Sequence, residues 1–196
     1  MPPRPDQTLP VGATFQSRPV GGKNAPPTNK TVRILGVDPS LRSTGYGIVE
    51  VAGIQFTAIT HGQIKNPPSL LPSRCLVRIG DAIAQLINEH EPDVVAVEGL
   101  VYVQNTRIAF TLGEVRGVII AAAARRGLPV HEYAPRKVKQ SVTGLGGAGK
   151  GQVGNMVKAM LGLPVAPQAD AADALAIALC HALSCRGAQI NPPKQI

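Results

Sequence analysis

The chain has 196 residues, 44% of them hydrophobic, with a formal net charge of +8 and a pI near 9.8. That is enough apolar material for one packed domain, and it excludes a wholly disordered chain. The longest apolar run, Val118 to Ala124, stops at Arg125 and Arg126 and is too short to cross a bilayer, so no membrane span is expected.

Residues 1–30 carry seven prolines and the bases Arg4, Arg18, Lys23 and Lys30, without the apolar run of a secretory leader. They predict a disordered, Pro-rich basic tail. Val32 to Asp38 is a continuous apolar run, as in a strand buried on both faces, and Gly45 to Val51 and Ile54 to Ile64 follow across short turns. Leu76, Ile79, Ile83, Leu86 and Ile87 recur at helical spacing, which places an amphipathic helix within Leu70 to His90, closed by Pro92. "DVVAVE", Asp93 to Glu98, reads as a fourth strand, Asn105 to Arg126 as a long helix stopped by Gly127, and "LPVHEYA" as a fifth strand. The Gly-rich "GLGGAGKGQ" predicts a flexible connector before a short helix around Val153 to Leu161. After Pro164 and Pro167, the Ala- and Leu-rich "QADAADALAIALCHAL" predicts a final helix. The order predicts an α/β domain with a mixed five-stranded sheet sandwiched by helices. The expected division is a tail over 1–30, a folded domain over 31–185 and a flexible C-terminal tail over 186–196.

Cys75, Cys180 and Cys185 form no C-x-x-C pair, which argues against a disulfide framework or a zinc site and fits a reducing cytoplasm. The positive charge is unevenly spread: Arg107 to Lys158 holds nine bases against two acids. A basic stretch of this kind favours a polyanionic partner. With no Trp, three Tyr and three Phe, base stacking cannot dominate, so backbone contacts should.

The first and fourth strands both end in a carboxylate, Asp38 and Glu98. A strand-end acid costs desolvation unless it is paired, and a turn-capping role is the ordinary solution. In α/β sheets, however, the carboxyl ends of parallel strands line the functional crevice, so the two acids meet there if their strands are neighbours. Asp170 and Asp173, three apart, share one face at the start of the last helix, a placement that helix capping explains equally well. Four carboxylates in one cleft repel each other unless a cation lies between them, and all-oxygen ligands select hard ions such as Mg²⁺ or Mn²⁺. Two such ions suit in-line attack of water on a phosphodiester.

The segments "LGVDPSLRSTGYGIV", "VVAVEGLVYVQN", "TLGEVRGVIIAAA", "YAPRKVKQSVTGLGGAGKGQV" and "PQADAADALAIALCHA" resemble, in order, the RuvC family of Holliday-junction resolvases from about Val32 to Leu183. The resemblance implies a ribonuclease-H-like fold and a cytoplasmic homodimer that nicks opposing strands of four-way junction DNA symmetrically. It leaves 5′-phosphate and 3′-hydroxyl ends. It also implies two Mg²⁺ per subunit, with Mn²⁺ as the alternative ion, and the branch-migration proteins RuvA and RuvB as partners. It assigns Asp38, Glu98, Asp170 and Asp173 as catalytic and metal-binding residues, and Lys139 and Lys150 as DNA contacts. Arg107 and Lys137 are further candidate phosphate contacts, with plain solvation as their other reading. The family commonly has an aromatic wedge after the strand-end Glu. Here Val101 stands in register with Tyr102 beside it, so Tyr102 is the expected wedge, a buried tyrosine being the competing role. Ser40 replaces a frequent Gly in the first turn. The small-residue side of the Arg116 to Arg126 helix is a candidate dimer contact, or ordinary sheet packing.

Three other readings fit parts of the pattern. They are a ribonuclease-H-like nuclease for structured or single-stranded RNA, a non-catalytic DNA-binding module, and an ATP-binding protein of the actin and sugar-kinase type. The last needs a second phosphate-binding lobe, for which this chain is too short.

Overall fold

The computed structural model describes residues 31–99, 106–186 and 194–196. Three strands lead: β1 (Val32–Asp38), β2 (Ser43–Ala52) and β3 (Gln55–Lys65). Next come α1 (Pro72–His90), β4 (Val94–Glu98), α2 (Thr106–Ala124) and β5 (Val130–Tyr133). The chain continues through α3 (Pro135–Thr143), α4 (Lys150–Leu161), α5 (Ala169–Ser184) and the two-residue β6 (Lys194–Gln195). The sheet runs β3-β2-β1-β4-β5-β6. β1, β4 and β5 are mutually parallel in that order, and β2, β3 and β6 are antiparallel to their neighbours.

The α/β class and the mixed sheet follow the expectation, but the described residues form six strands in place of five. The sixth falls within 186–196, expected as a flexible tail: Glu132 pairs with Lys194, and the Ile196 amide donates to the Val130 carbonyl at 3.0 Å. Two residues carry no periodic signal, so only the partner strand defines this one. The helix α3 also went unpredicted, because "PRKVKQSVT" is short and polar. Its boundaries are nonetheless ordinary, with Pro135 at its first turn and Gly144 at φ 76° closing it. The Gly-rich connector yields to helix earlier than expected: the Gly149 amide donates to Gln152 Oε1 at 2.9 Å, and α4 starts at Lys150 rather than Val153.

Alternation along the strands separates two cores. Ile34, Val49, Val94, Ala96 and Tyr133 face α3, α4 and α5, whereas Leu35, Val37, Ile48, Val95 and Val97 face α1 and α2. α1 buries Cys75, Ile79, Ile83 and Ile87, every fourth residue, as its sequence spacing predicts.

α5 lies unusually close to the sheet, and glycines make room for it. A Cβ at Gly36 would sit 2.1 Å from the Ala174 carbonyl oxygen, and one at Gly45 would sit 2.0 Å from that of Asp170. With Ala at many of its buried positions, α5 settles directly over β1 and β2. Its first turn therefore lands at the carboxyl end of β1.

Candidate active site

Asp38 and Glu98 end neighbouring parallel strands, one step beyond the paired Val37 and Val97. Asp173, on the second turn of α5, reaches the same place. A cleft of about 350 Å³ is lined by these three acids and Lys139, with Val138, Val153 and Ile177 as its apolar wall. Three half-buried carboxylates against apolar surface concentrate negative potential, and Lys139 is the counter-charge among the described lining residues.

Asp170 does not line that cleft among the described residues. Its Oδ2 accepts hydrogen bonds from the Ser43 hydroxyl and from Gln63 Nε2, the latter at 2.8 Å. These partners come from β2 and β3, so Asp170 joins the start of α5 to the outer strands. No signal in the sequence marks Ser43 or Gln63. They meet Asp170 only because Ser43 pairs with Lys65 and Gly45 with Gln63 across the hairpin.

The remaining sequence candidates are placed as follows. Lys139 lines the cleft, and Lys137 is exposed with its ammonium 5.6 Å from the centroid of the Tyr133 ring. Arg107 is exposed on the first turn of α2, and Lys150 is the first residue of α4. Val101 and Tyr102 lie outside the described residues.

Arg116, one of the nine bases of the Arg107 to Lys158 stretch, is buried and paired within the domain. Its side chain is only 8% exposed. The guanidinium donates to the main-chain carbonyl of Glu98 and pairs with Glu132 Oε2 at 2.5 Å, while Glu132 Oε1 lies 3.3 Å from Lys194 Nζ. Arg116 thus fixes the backbone that carries the Glu98 carboxylate. The clue was available in the sequence: Leu112, Arg116, Ile119 and Ala123 fall on one helical face, so Arg116 interrupts an apolar stripe.

A second buried group ties β5 to α5 behind the cleft. Tyr133 Oη lies 2.8 Å from His181 Nδ1, the His131 and His181 rings are 4.9 Å apart, and His181 Nε2 is 3.6 Å from Cys185 Sγ. Burial pushes the Tyr133 phenol well above its ordinary range, so it donates to Nδ1. Nε2 then carries the imidazole proton and faces the sulfur. Burial, with a smaller contribution from His131, pushes His181 down from 6.5 to about 4. The unfolded chain therefore binds one proton more than the folded one between those values, and stability falls as pH drops through that window. Urea melts from pH 7.5 to 4 should show that loss in wild type and a flatter profile in His181→Gln. Equal pH profiles would show that His181 is not the group responsible.

The donor set for a metal is all oxygen, which fits a hard divalent cation. Among the described residues no three acidic, imidazole or thiol groups are drawn together into a ready-made cage. An open set of carboxylates suits Mg²⁺, which keeps waters and takes substrate phosphates as ligands.

Comparison with known proteins adds independent findings. A family model described as crossover junction endodeoxyribonuclease RuvC matches residues 34–181. The chain is 49% identical to the crossover junction endodeoxyribonuclease RuvC of Pelotomaculum thermopropionicum over 150 residues, 76% of this chain and 92% of that relative. It is 50% identical to the same enzyme of Proteus mirabilis over 148 residues, 76% of this chain and 85% of that one. The structure of T. thermophilus RuvC in complex with Holliday junction substrate aligns with a TM-score of 0.78 at 32% identity, covering 84% of this chain and 99% of that chain. The yeast mitochondrial Holliday junction resolvase Ydc2, with a TM-score of 0.56 at 17% identity over 79% of both chains, shares the fold.

Proposed function

This chain belongs to the RuvC family of crossover junction endodeoxyribonucleases, and from that premise we propose that it cuts at the cleft of Asp38, Glu98 and Asp173. It is a Holliday junction resolvase, a metal-dependent endonuclease of recombination and repair. The single observation carrying the site assignment is the convergence of acids from β1, β4 and α5, residues far apart in sequence, on one cleft beside Lys139.

We assign Asp38, Glu98 and Asp173 as ligands of divalent cations, two Mg²⁺ per subunit with Mn²⁺ as a substitute. Asp170, whose Oδ2 is held by Ser43 and Gln63 outside that lining, is assigned as the fourth ligand on the resemblance of the DAAD motif to the family. When bound, the cations supply Lewis-acid stabilisation of the scissile phosphate and lower the pKa of the attacking water. The carboxylates orient that water and accept its proton. Lys139 neutralises charge on the phosphate. The water oxygen bonds to phosphorus, the bond to the 3′ oxygen breaks, and that oxygen takes up a proton. A 5′-phosphate and a 3′-hydroxyl result.

The nuclease domain is placed at 31–185, and Lys137, Lys139, Lys150 and Arg107 are assigned to backbone phosphates, with Tyr102 as the junction wedge. A homodimer would match the two-fold symmetry of a four-way junction. Its contact is placed on α2, where exposed Phe110, Gly117, Ala121 and Ala124 lie along one side and a Cβ at Gly117 would meet nothing within 4 Å. The same reading puts the protein in the cytoplasm with RuvA and RuvB as partners. No helix among the described residues is long and apolar enough to cross a membrane.

The test is a synthetic mobile four-way junction incubated with the protein in Mg²⁺ and in EDTA. Paired symmetric nicks in Mg²⁺ and none in EDTA are expected, with little action on duplex DNA or RNA. Preferential cleavage of RNA would overturn the reading.

A further inference from the structure

The end of the sheet that carries the cleft also carries a basic rim, made by the last residue of β3 and the start of α1. Asp38 pairs with Gly45 and Ser43 with Lys65, so Lys65 lies two strands from the cleft, about 10 Å at the usual strand spacing. The loop from Lys65 into α1 is pinned: the Asn66 amide donates to the Arg42 carbonyl at 2.9 Å, and Arg42 Nη1 donates to the carbonyls of Pro67 and Leu70 at 2.8 and 2.9 Å. Arg74 and Arg78, one helical turn apart on α1, are both exposed, and Arg78 Nη2 donates to the Lys65 carbonyl at 3.5 Å. Three exposed cations from two elements thus gather around one end of the sheet.

That surface is electrostatically unbalanced. Among the described residues none of Lys65, Arg74 and Arg78 forms an ion pair, and Asp81 is the one acid on the adjoining turns of α1. The cations also crowd the positive end of α1, whose first turn holds no acid. Like charges gathered this way weaken the folded state, and a polyanion lying across them removes the penalty. Lys139 and Lys137 belong to α3, on the face of the sheet opposite α1 and its Arg74 and Arg78. A nucleic-acid backbone crossing this end of the sheet therefore meets cations on both sides of the acids.

We propose that Lys65, Arg74 and Arg78 form a second phosphate-binding track, which holds the duplex arm of the junction as it leaves the cleft. The proposal rests on the junction-resolvase reading above. Contacts of this kind read the phosphate chain and not the bases, so their contribution is independent of sequence and steeply dependent on salt.

The experiment measures junction affinity in EDTA across a salt series, for junctions with long arms and with arms cut to a few base pairs. Wild type is compared with the triple variant Lys65→Gln/Arg74→Gln/Arg78→Gln, and with Arg125→Gln/Arg126→Gln as a loss of charge just beyond the far end of α2. Equal thermal melting of the variants establishes that they are folded. On long arms the triple variant should bind ~10-fold or more weakly at physiological salt, and its salt slope should fall by about one per lost contact. On short arms it should match wild type, and the Arg125/Arg126 variant should keep the wild-type slope on both. A triple variant with the wild-type slope on long arms overturns the track while leaving the resolvase reading intact. If wild type itself fails to prefer junctions over duplex, that reading falls first, and this proposal with it.

Discussion

Asp38→Asn should reduce junction nicking by at least about 10³-fold, equivalent to about 4 kcal/mol of lost transition-state stabilisation, while junction binding in EDTA persists. The substitution keeps the shape of the side chain and removes one charged ligand oxygen from a set of three acids in a single cleft. Relieving repulsion among those acids should leave the melting temperature unchanged or slightly raised in the absence of metal. Binding to anionic DNA without metal should be equal or tighter, because one negative charge facing the phosphates is gone. A rise in melting temperature with added Mg²⁺ in wild type should shrink in the variant, since a ligand that binds only the folded state stabilises in proportion to its affinity. Nicking by Asp38→Asn at the wild-type rate would remove the cleft from the mechanism.

Arg116→Met should destabilise the fold by about 3 kcal/mol, the low end for breaking a buried pair by removing one partner. The low end applies because Glu132 is 24% exposed and keeps Lys194 at 3.3 Å. For a chain of this size that corresponds to a melting temperature lower by about 6–12 °C. The Glu98 carbonyl loses its donor in the same step, so cleavage by the folded fraction should also fall. Adding Glu132→Gln to Arg116→Met should restore part of the stability by removing the unpaired anion, but not the cleavage rate, since the Glu98 backbone remains unheld. That split separates positioning of the active site from simple stability. A melting temperature within 2 °C of wild type, on the scale of less than about 1 kcal/mol, would show that the pair contributes little.

Much of this protein is legible in its sequence. The apolar run ending in Asp38 and the short one ending in Glu98 mark two buried strands, because a strand covered on both faces is apolar nearly throughout. The spacing of Ile79, Ile83 and Ile87 marked α1, because one face of a helix recurs every three or four residues. The five quoted motifs carried the family, and with it the pairing of those acids with "DAAD".

What stayed hidden depends on residues that are distant in the chain. Asp170 is bound by Ser43 and Gln63, separated from it by 127 and 107 positions, and no local pattern encodes such a meeting. Arg116 visibly breaks the apolar stripe of α2, but its acceptors, the Glu98 carbonyl and Glu132, are supplied only when α2 packs against the ends of β4 and β5. The strand β6 exists because β5 offers an open edge, and the rim of Lys65, Arg74 and Arg78 exists because the β2–β3 register brings the end of β3 level with the cleft. Local sequence determines periodicity, capping and burial, which are properties of neighbouring residues. The partners of each charge are set by strand order and helix packing, and those follow from the whole chain closing around its two cores.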